Sequence, residues 1–243
     1  MTGRSTRVYT LSLGSRMHSL RCRRIWRSES EGFNMDPIAL IIDVPICSFR
    51  KGSARSFLES EEFPPPSTVY GCLLSLIGEE DRHAYIGTEL ALAVEELPRK
   101  SVVLRKTWRM KERVPPGTGV NAKPDLQELL TDVRLRVWVR PGQLASRVAD
   151  ALRAPGDVVR YGGLSLGESH DLVNGVSFVK PDEPVRSLVW LERMANGRTP
   201  VTVWVDHVGA AATRWQQAEC ASALSDRDLA QASLWFRIGP EVT

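Results

Sequence analysis

Apolar residues recur along this chain with two periods, and the change of period marks the elements. Residues 38–46 form a strand-length apolar run broken only by Asp43 and Pro45, which suits a central strand with an irregular end. A polar loop over 49–63 follows, and then Pro64, Pro65 and Pro66 hold the backbone extended. Behind them Val69, Leu73, Leu76 and Ile77 repeat at three- and four-residue spacing. That spacing predicts a buried helix over 67–77, with Ser67 as its N-cap and Gly78 as its stop.

Further strands are expected at 89–97, 102–110 and 133–139. In the last, Val133, Leu135, Val137 and Val139 form one face, while Arg134, Arg136, Trp138 and Arg140 form the other. Pro115, Pro116, Gly117 and Gly119 make a flexible tip between the second and third of these strands. An amphipathic helix is predicted over 144–152, closed by Pro155 and Gly156, and a glycine-rich segment follows. Residues 172–179, 187–194 and 200–207 read as strands, the last two joined as a hairpin through Ala195, Asn196 and Gly197. The Ala/Gln-rich stretch 210–223 is expected to be helical, and 233–238 to close as a short strand.

Composition adds ordinary globular proportions, with 42% hydrophobic and 25% charged residues in 243. No apolar run approaches membrane-spanning length, so nothing here is expected to cross a bilayer as a helix. Cys22, Cys47, Cys72 and Cys220 lack metal-ligand spacing and read as reduced thiols of a cytoplasmic protein. The net charge of +3 conceals its distribution: residues 1–34 carry seven arginines against Glu29 and Glu31. The remainder is slightly acidic, so any contact with nucleic acid must be local.

Two readings of the basic leader 1–34 stand. It is a disordered tail that touches RNA, or translation begins at Met35, where the first strand opens at once. The second is the expectation.

Residues 99–140 are the electrostatic exception, with eleven basic residues against four acidic ones. Strands with alternating arginines are commonly solvated outer faces. Here Trp108 and Trp138 lie among the charges, and guanidinium groups beside indoles suit single-stranded RNA. Arg105, Lys106, Arg109, Arg134 and Arg136 are the expected phosphate contacts, with Trp108 or Trp138 stacking on a base. No metal or other cofactor is implied, because His18, His83, His170 and His207 are scattered. Neither Ser67 nor Ser169 occupies a nucleophile elbow.

Two stretches resemble one known family. PPPSTVYGCLLSLIGE at 64–79 and YGGLSLGESHDLVNGV at 161–176 are similar to motifs of the CRISPR-associated protein 5 family. That family belongs to the RAMP superfamily and supplies a subunit of type I Cascade complexes; the DevS-like (Myxan-type) branch is the nearest in wording. The resemblance spans about 35–240. It implies an α+β fold with a ferredoxin-like (RRM-like, RAMP) βαββαβ core in a single domain over 35–240. Residues 99–140 would be an inserted basic hairpin, or thumb, and extra antiparallel strands would follow.

It further implies a non-catalytic subunit that binds CRISPR RNA (crRNA). The subunit would hold the 5′ handle, cap the backbone filament, and contact the backbone and large subunits, with target DNA a further partner inside the complex. One pocket is expected from the start of the first helix, with Ser67 and Tyr70, and the glycine-rich loop, with Tyr161, Gly162, Gly163, Gly167 and Ser169. Glycines there let backbone amides approach a phosphate.

One branch of the family cleaves RNA with a Tyr/Lys/His set. Here Lys106 is followed by Thr107 and Trp108 rather than histidine, so cleavage would need Tyr70 with His83 or His170. An endoribonuclease processing the CRISPR precursor and a stand-alone RNA-binding developmental regulator are the two rival functions.

The leader offers no periodic apolar face. A chain beginning at Met35 is therefore expected to keep its melting temperature in thermal denaturation. A fall of several degrees would show that residues 1–34 pack on the domain.

Overall fold

The computed structural model describes residues 36–108, 113–115, 119–180, 187–224 and 229–240. The leader and the glycine-proline tip at 116–118 lie outside them. The elements in order are β1 (Ile38–Cys47), β2 (Phe57–Leu58), α1 (Pro66–Ile77), β3 (Glu89–Val94), β4 (Arg99–Trp108) and β5 (Ala122–Val139). They are followed by α2 (Gln143–Arg153), β6 (Gly175–Phe178), β7 (Leu188–Arg193), β8 (Thr199–Trp204), β9 (Arg214–Leu224) and β10 (Phe236–Arg237). The main path of the sheet runs β6-β1-β5-β3-β7-β9-β8, with β10 on β3 and both β2 and β4 on β5. Within it β1 is antiparallel to β5 and β6, and β3 is antiparallel to β5. The fold is mixed α/β, dominated by an antiparallel sheet.

Helix α1 begins one residue before the expected Ser67. Pro66 occupies its first turn, where a missing N–H costs nothing, and no side chain caps the end. Ser67 is therefore not the N-cap. Its hydroxyl bonds the Thr202 hydroxyl of β8 at 2.7 Å. At the other end Gly78 adopts φ 71°, and the N–H groups of Gly78 and Glu79 close onto the carbonyls of Ser75 and Leu74, as expected of a left-handed stop.

One core lies between the sheet and the two helices. Leu40 and Ile42 of β1, Leu90 and Leu92 of β3, and Leu135 and Val137 of β5 meet Val69 and Leu73 of α1 and Leu144 and Val148 of α2. The alternation read in 133–139 therefore points the predicted apolar face inward. The opposite face is also covered. Ala91, Ala93, Trp138 and Trp190 pack with Leu234 and Trp235 of the C-terminal segment. Trp138 and Trp190 stack with centroids 4.5 Å apart.

This second layer corrects the expected RNA-facing surface. Arg136 is only 1% exposed, and Trp138 only 3%. The Arg136 guanidinium reaches Glu95 Oε1 through Nη2 at 2.8 Å and Nε at 3.3 Å. Residues 133–139 are a central strand of the sheet, not part of an insertion, since β5 pairs there with both β1 and β3. The projecting portion is the ribbon in which β4 pairs with β5 from Arg99↔Thr131 to Trp108↔Ala122. Asp132, at φ 57°, marks the change of partner, and its carboxylate holds Arg99 at 2.8 Å.

Two further expectations fail at the far edge. The turn after β7 does not make a β7–β8 hairpin, because β9 pairs with both strands, using 218–224 for β7 and 214–218 for β8. Gly197 is still required, but for close approach: a β-carbon there would lie 2.5 Å from the Ala218 carbonyl oxygen. The Ala/Gln-rich stretch forms strand β9 rather than a helix, since ladder partners on two sides outweigh a modest local preference. At the C-terminus the expected strand shortens to β10, preceded by a 3-10 turn at Ala232–Leu234.

Glu95 is a countercharge for a buried guanidinium, and removing one partner of such a pair weakens the compensation of the other. Glu95→Ala is expected to cost about 3 kcal/mol in chemical denaturation, whereas Arg136→Met, which removes the charge and keeps the aliphatic stem, costs less. Equal and small losses from both would show that the pair is not desolvated.

Candidate nucleic-acid interface

The ribbon and the glycine-rich segment meet. On the inner face of the ribbon Arg105 lies opposite Asp125, and Val103 opposite Gln127. Arg105 Nη1 is 3.3 Å from Glu168 Oε2, and Nη2 is 2.8 Å from His170 Nε2. Residues separated by more than sixty positions thus form one surface. Next to them Thr107 donates to Asp125 at 2.9 Å, and Lys123 pairs with the same carboxylate at 2.8 Å.

Asp171 holds the loop in place. It is 3% exposed, and its Oδ2 accepts N–H bonds from Ser48 at 3.0 Å and Glu168 at 2.8 Å. Gln127, 1% exposed, donates through Nε2 to Ser48 Oγ at 2.8 Å and Glu168 Oε1 at 3.3 Å. A loop pinned by polar bonds to strand β5 and to the residue that follows β1 presents its exposed groups in a defined arrangement. Gly167 belongs to this clamp. At φ 114° its missing β-carbon would stand 2.6 Å from Asp171 Oδ2 and 2.8 Å from the Ser48 carbonyl oxygen. A side chain at this position would prevent the loop from closing.

Of the expected site residues, Arg105 and Ser169 meet at this junction, together with His170; Lys106, next to Arg105 in the strand, lies on the opposite, exposed face of the ribbon. Tyr161, Gly162 and Gly163 lie further along the same loop and are exposed. Arg134 is about half exposed and sits 3.9 Å from Glu95 and 4.0 Å from Asp43. Trp108 ends β4, but its side chain and the whole of Arg109 lie outside the described residues.

Ser67 and Tyr70 do not join the glycine-rich loop. The loop's approach, Val158 and Val159, packs against the C-terminal end of α1, where a β-carbon on Gly78 would strike the Val159 carbonyl. The helix start is twelve residues away, about 18 Å along the axis, and faces β8. Tyr70 is buried, and its hydroxyl donates to the Arg82 carbonyl at 2.8 Å; burial pushes its pKa up. The expected single pocket of helix start and loop is therefore absent from the described residues. Connectivity explains the difference, because the segment after α2 returns beside the end of α1.

The Tyr/His set considered for cleavage is divided only in part: the Tyr70 hydroxyl bonds the Arg82 carbonyl, one residue from His83, whereas His170 lies elsewhere. His83 lies by Trp204, with ring centroids 5.3 Å apart, under the same indole that Arg82 covers at 4.0 Å. His170 belongs to the ribbon junction, with Glu168 and Asp171 oxygens 3.3 and 3.5 Å from its Nε2. Burial raises the Cys47 and Cys72 thiols to about 12, and Cys220 to about 11, which leaves them protonated at neutral pH. Sequence reading missed Ser48, Gln127, Glu168 and Asp171. The available signal was the pairing of Asp125 and Gln127 on one ribbon face with an acidic, serine-containing loop.

Among the described residues no helix is long and apolar enough to cross a membrane. No family model matches the chain. A solved structure titled "CRISPR RNA-guided surveillance complex" contains a chain with a TM-score of 0.55 to this one at 15% identity. The match covers 79% of this chain and 92% of that one, a likeness of fold. A second, "Crystal structure of Cas protein", has a TM-score of 0.48 at 15% identity, covering 84% of this chain and 100% of that one. In sequence, the chain is 40% identical over 196 residues to "CRISPR-associated protein Cas5" of Myxococcus xanthus (strain DK1622), covering 77% of this chain and 92% of that protein. With that identity over most of both chains, the protein belongs to the CRISPR-associated Cas5 family.

Proposed function

We propose that this protein is the subunit of a type I CRISPR effector complex, or Cascade, that holds the 5′ handle of the crRNA at the junction of ribbon and loop. The observation that carries the reading is the contact of Arg105 with Glu168 and His170. It joins a basic strand to a loop clamped in one geometry, as a phosphate-binding surface requires. In this reading the β1-α1-β3-β5-α2-β6 portion, with strand order β6-β1-β5-β3, is a ferredoxin-like RAMP core. The subunit caps the backbone filament and contacts the large subunit in the cytoplasm, without cleaving RNA itself. A non-catalytic role fits the buried, hydrogen-bonded Tyr70 and its separation from the ribbon.

A second reading has one observation in its favour. His170 is half exposed on the same surface as Arg105, where a general base would have to lie. Incubating precursor RNA with the purified protein separates the two readings. Cleavage that disappears in His170→Ala supports the nuclease, and intact RNA bound tightly supports the holder.

Arg105→Ala with Lys106→Ala is expected to weaken single-stranded RNA binding and to flatten the plot of log affinity against log salt by about 1.4, roughly 0.7 for each phosphate that is no longer neutralised. Their removal from the ribbon is expected to leave the melting temperature within a few degrees. Unchanged affinity and slope would remove the junction from the RNA-binding surface.

A further inference from the structure

A second concave surface lies beyond the junction on the same loop. It is a groove of about 590 Å³ between the end of α1, the end of α2, the glycine-rich loop and the start of β6. Its walls are aliphatic, formed by Leu76, Leu152, Val158, Leu164 and Leu172, and two polar groups stand in it, Arg160 and Asn174. Neither the Arg160 guanidinium nor the Asn174 side-chain amide makes a hydrogen bond or ion pair among the described residues. Tyr161, next to Arg160 and two residues before Gly163 of the lining, is 83% exposed. Arg160, Tyr161 and Asn174 are all exposed, so an aromatic ring, a guanidinium and an amide are accessible to a ligand beside one apolar groove.

We infer that this groove seats one unstacked nucleotide of a single-stranded RNA. The base lies between the aliphatic walls with Tyr161 against it, Asn174 on its edge, and Arg160 on the adjoining phosphate. The volume lies within the range of small-ligand sites, and a few convergent polar groups on apolar walls are their usual chemistry. An apolar protein side chain would fill the walls but leave Arg160 and Asn174 idle; a nucleotide engages all of them. The groove is continuous with the junction. Leu172 lines it, and the Leu172 N–H donates to the His170 carbonyl at 3.0 Å, the same residue that contacts Arg105. A strand lying on the ribbon therefore reaches the groove without leaving the loop. The inference rests on the RNA-binding reading above and adds where one base goes.

The test uses the full chain and a single-stranded RNA of about ten nucleotides carrying 4-thiouridine, a length within the span of one binding module. Irradiation is expected to cross-link the RNA at Tyr161 or Leu172, located by mass spectrometry. Tyr161→Ala is expected to weaken binding about ten-fold, the loss of one base stack. Gly163→Val, whose added β-carbon meets only the Leu172 side-chain tip at 3.2 Å, intrudes on the groove without touching backbone and is expected to weaken binding similarly, at an unchanged melting temperature.

Cross-links confined to Arg105, Lys106 or His170, with both variants binding as the parent does, overturn the groove and leave the junction standing. Groove cross-links that persist when Arg105→Ala with Lys106→Ala leaves affinity unchanged support the groove and remove the junction. Variants that keep RNA affinity but fail to enter the complex assign the groove to a protein partner and overturn the inference.

Discussion

Strand β5 must satisfy two sets of neighbours along eighteen residues. On one side it keeps β1 from Val139 down to Leu130; on the other it pairs with β3 from 135 onward and with β4, as a ribbon, up to 131. The left-handed residue Asp132 lies where one set gives way to the other. A kink in a strand bends it and redirects its ladder, so a single backbone position couples the core to the basic surface. The orientation of Arg105 toward the loop is inherited from this register. Slipping the ribbon by one residue would turn Arg105, Gln127 and Asp125 to the opposite face.

Positive charge in this protein has three different uses. Arg136 is an interior group, tied to Glu95 and sealed by the tryptophan layer. Arg82 and Arg140 lie over indole rings, at 4.0 and 4.4 Å from the centroids of Trp204 and Trp235, where they close the surface of the core. Arg105 ties the ribbon to the glycine-rich loop through Glu168 and His170, while Arg160 lines the groove on the loop's other side. Counting arginines along the chain cannot separate these uses, because burial is a property of what packs on a strand.

That loop resolves into two parts with different physical roles. Between 165 and 171 it is a clamp, with Asp171 and Gly167 fitted to Ser48 and a bridge from Ser165 to Leu172. Between 159 and 163 it is a display, with Val159 and Tyr161 exposed beside a groove. Glycine serves both parts, for opposite reasons. Gly167 allows tight closure, while Gly163 leaves space above Leu172.

The amino-acid sequence alone determined the elements whose signals are local. The proline arm, the α1 repeat and Gly78 specified a helix of the right length, and alternation specified β1 and the inner face of β5. The charge surplus over 99–140 and the glycines of 161–167 located two of the segments that meet at the junction. Tertiary structure alone decided what those segments face. Arg136 and Trp138 alternate outward as expected, but residues 229–238 return to cover that face, and nothing near position 136 encodes a cover supplied a hundred residues later. The Ala/Gln-rich stretch became β9 because two strands flank it, a pairing no local propensity records. Ser67 turned to Thr202, and the loop came to the end of α1 rather than its start, because chain connectivity set their neighbours. Local periodicity reports one chain segment against an averaged environment, whereas burial and contact depend on which distant segment provides that environment.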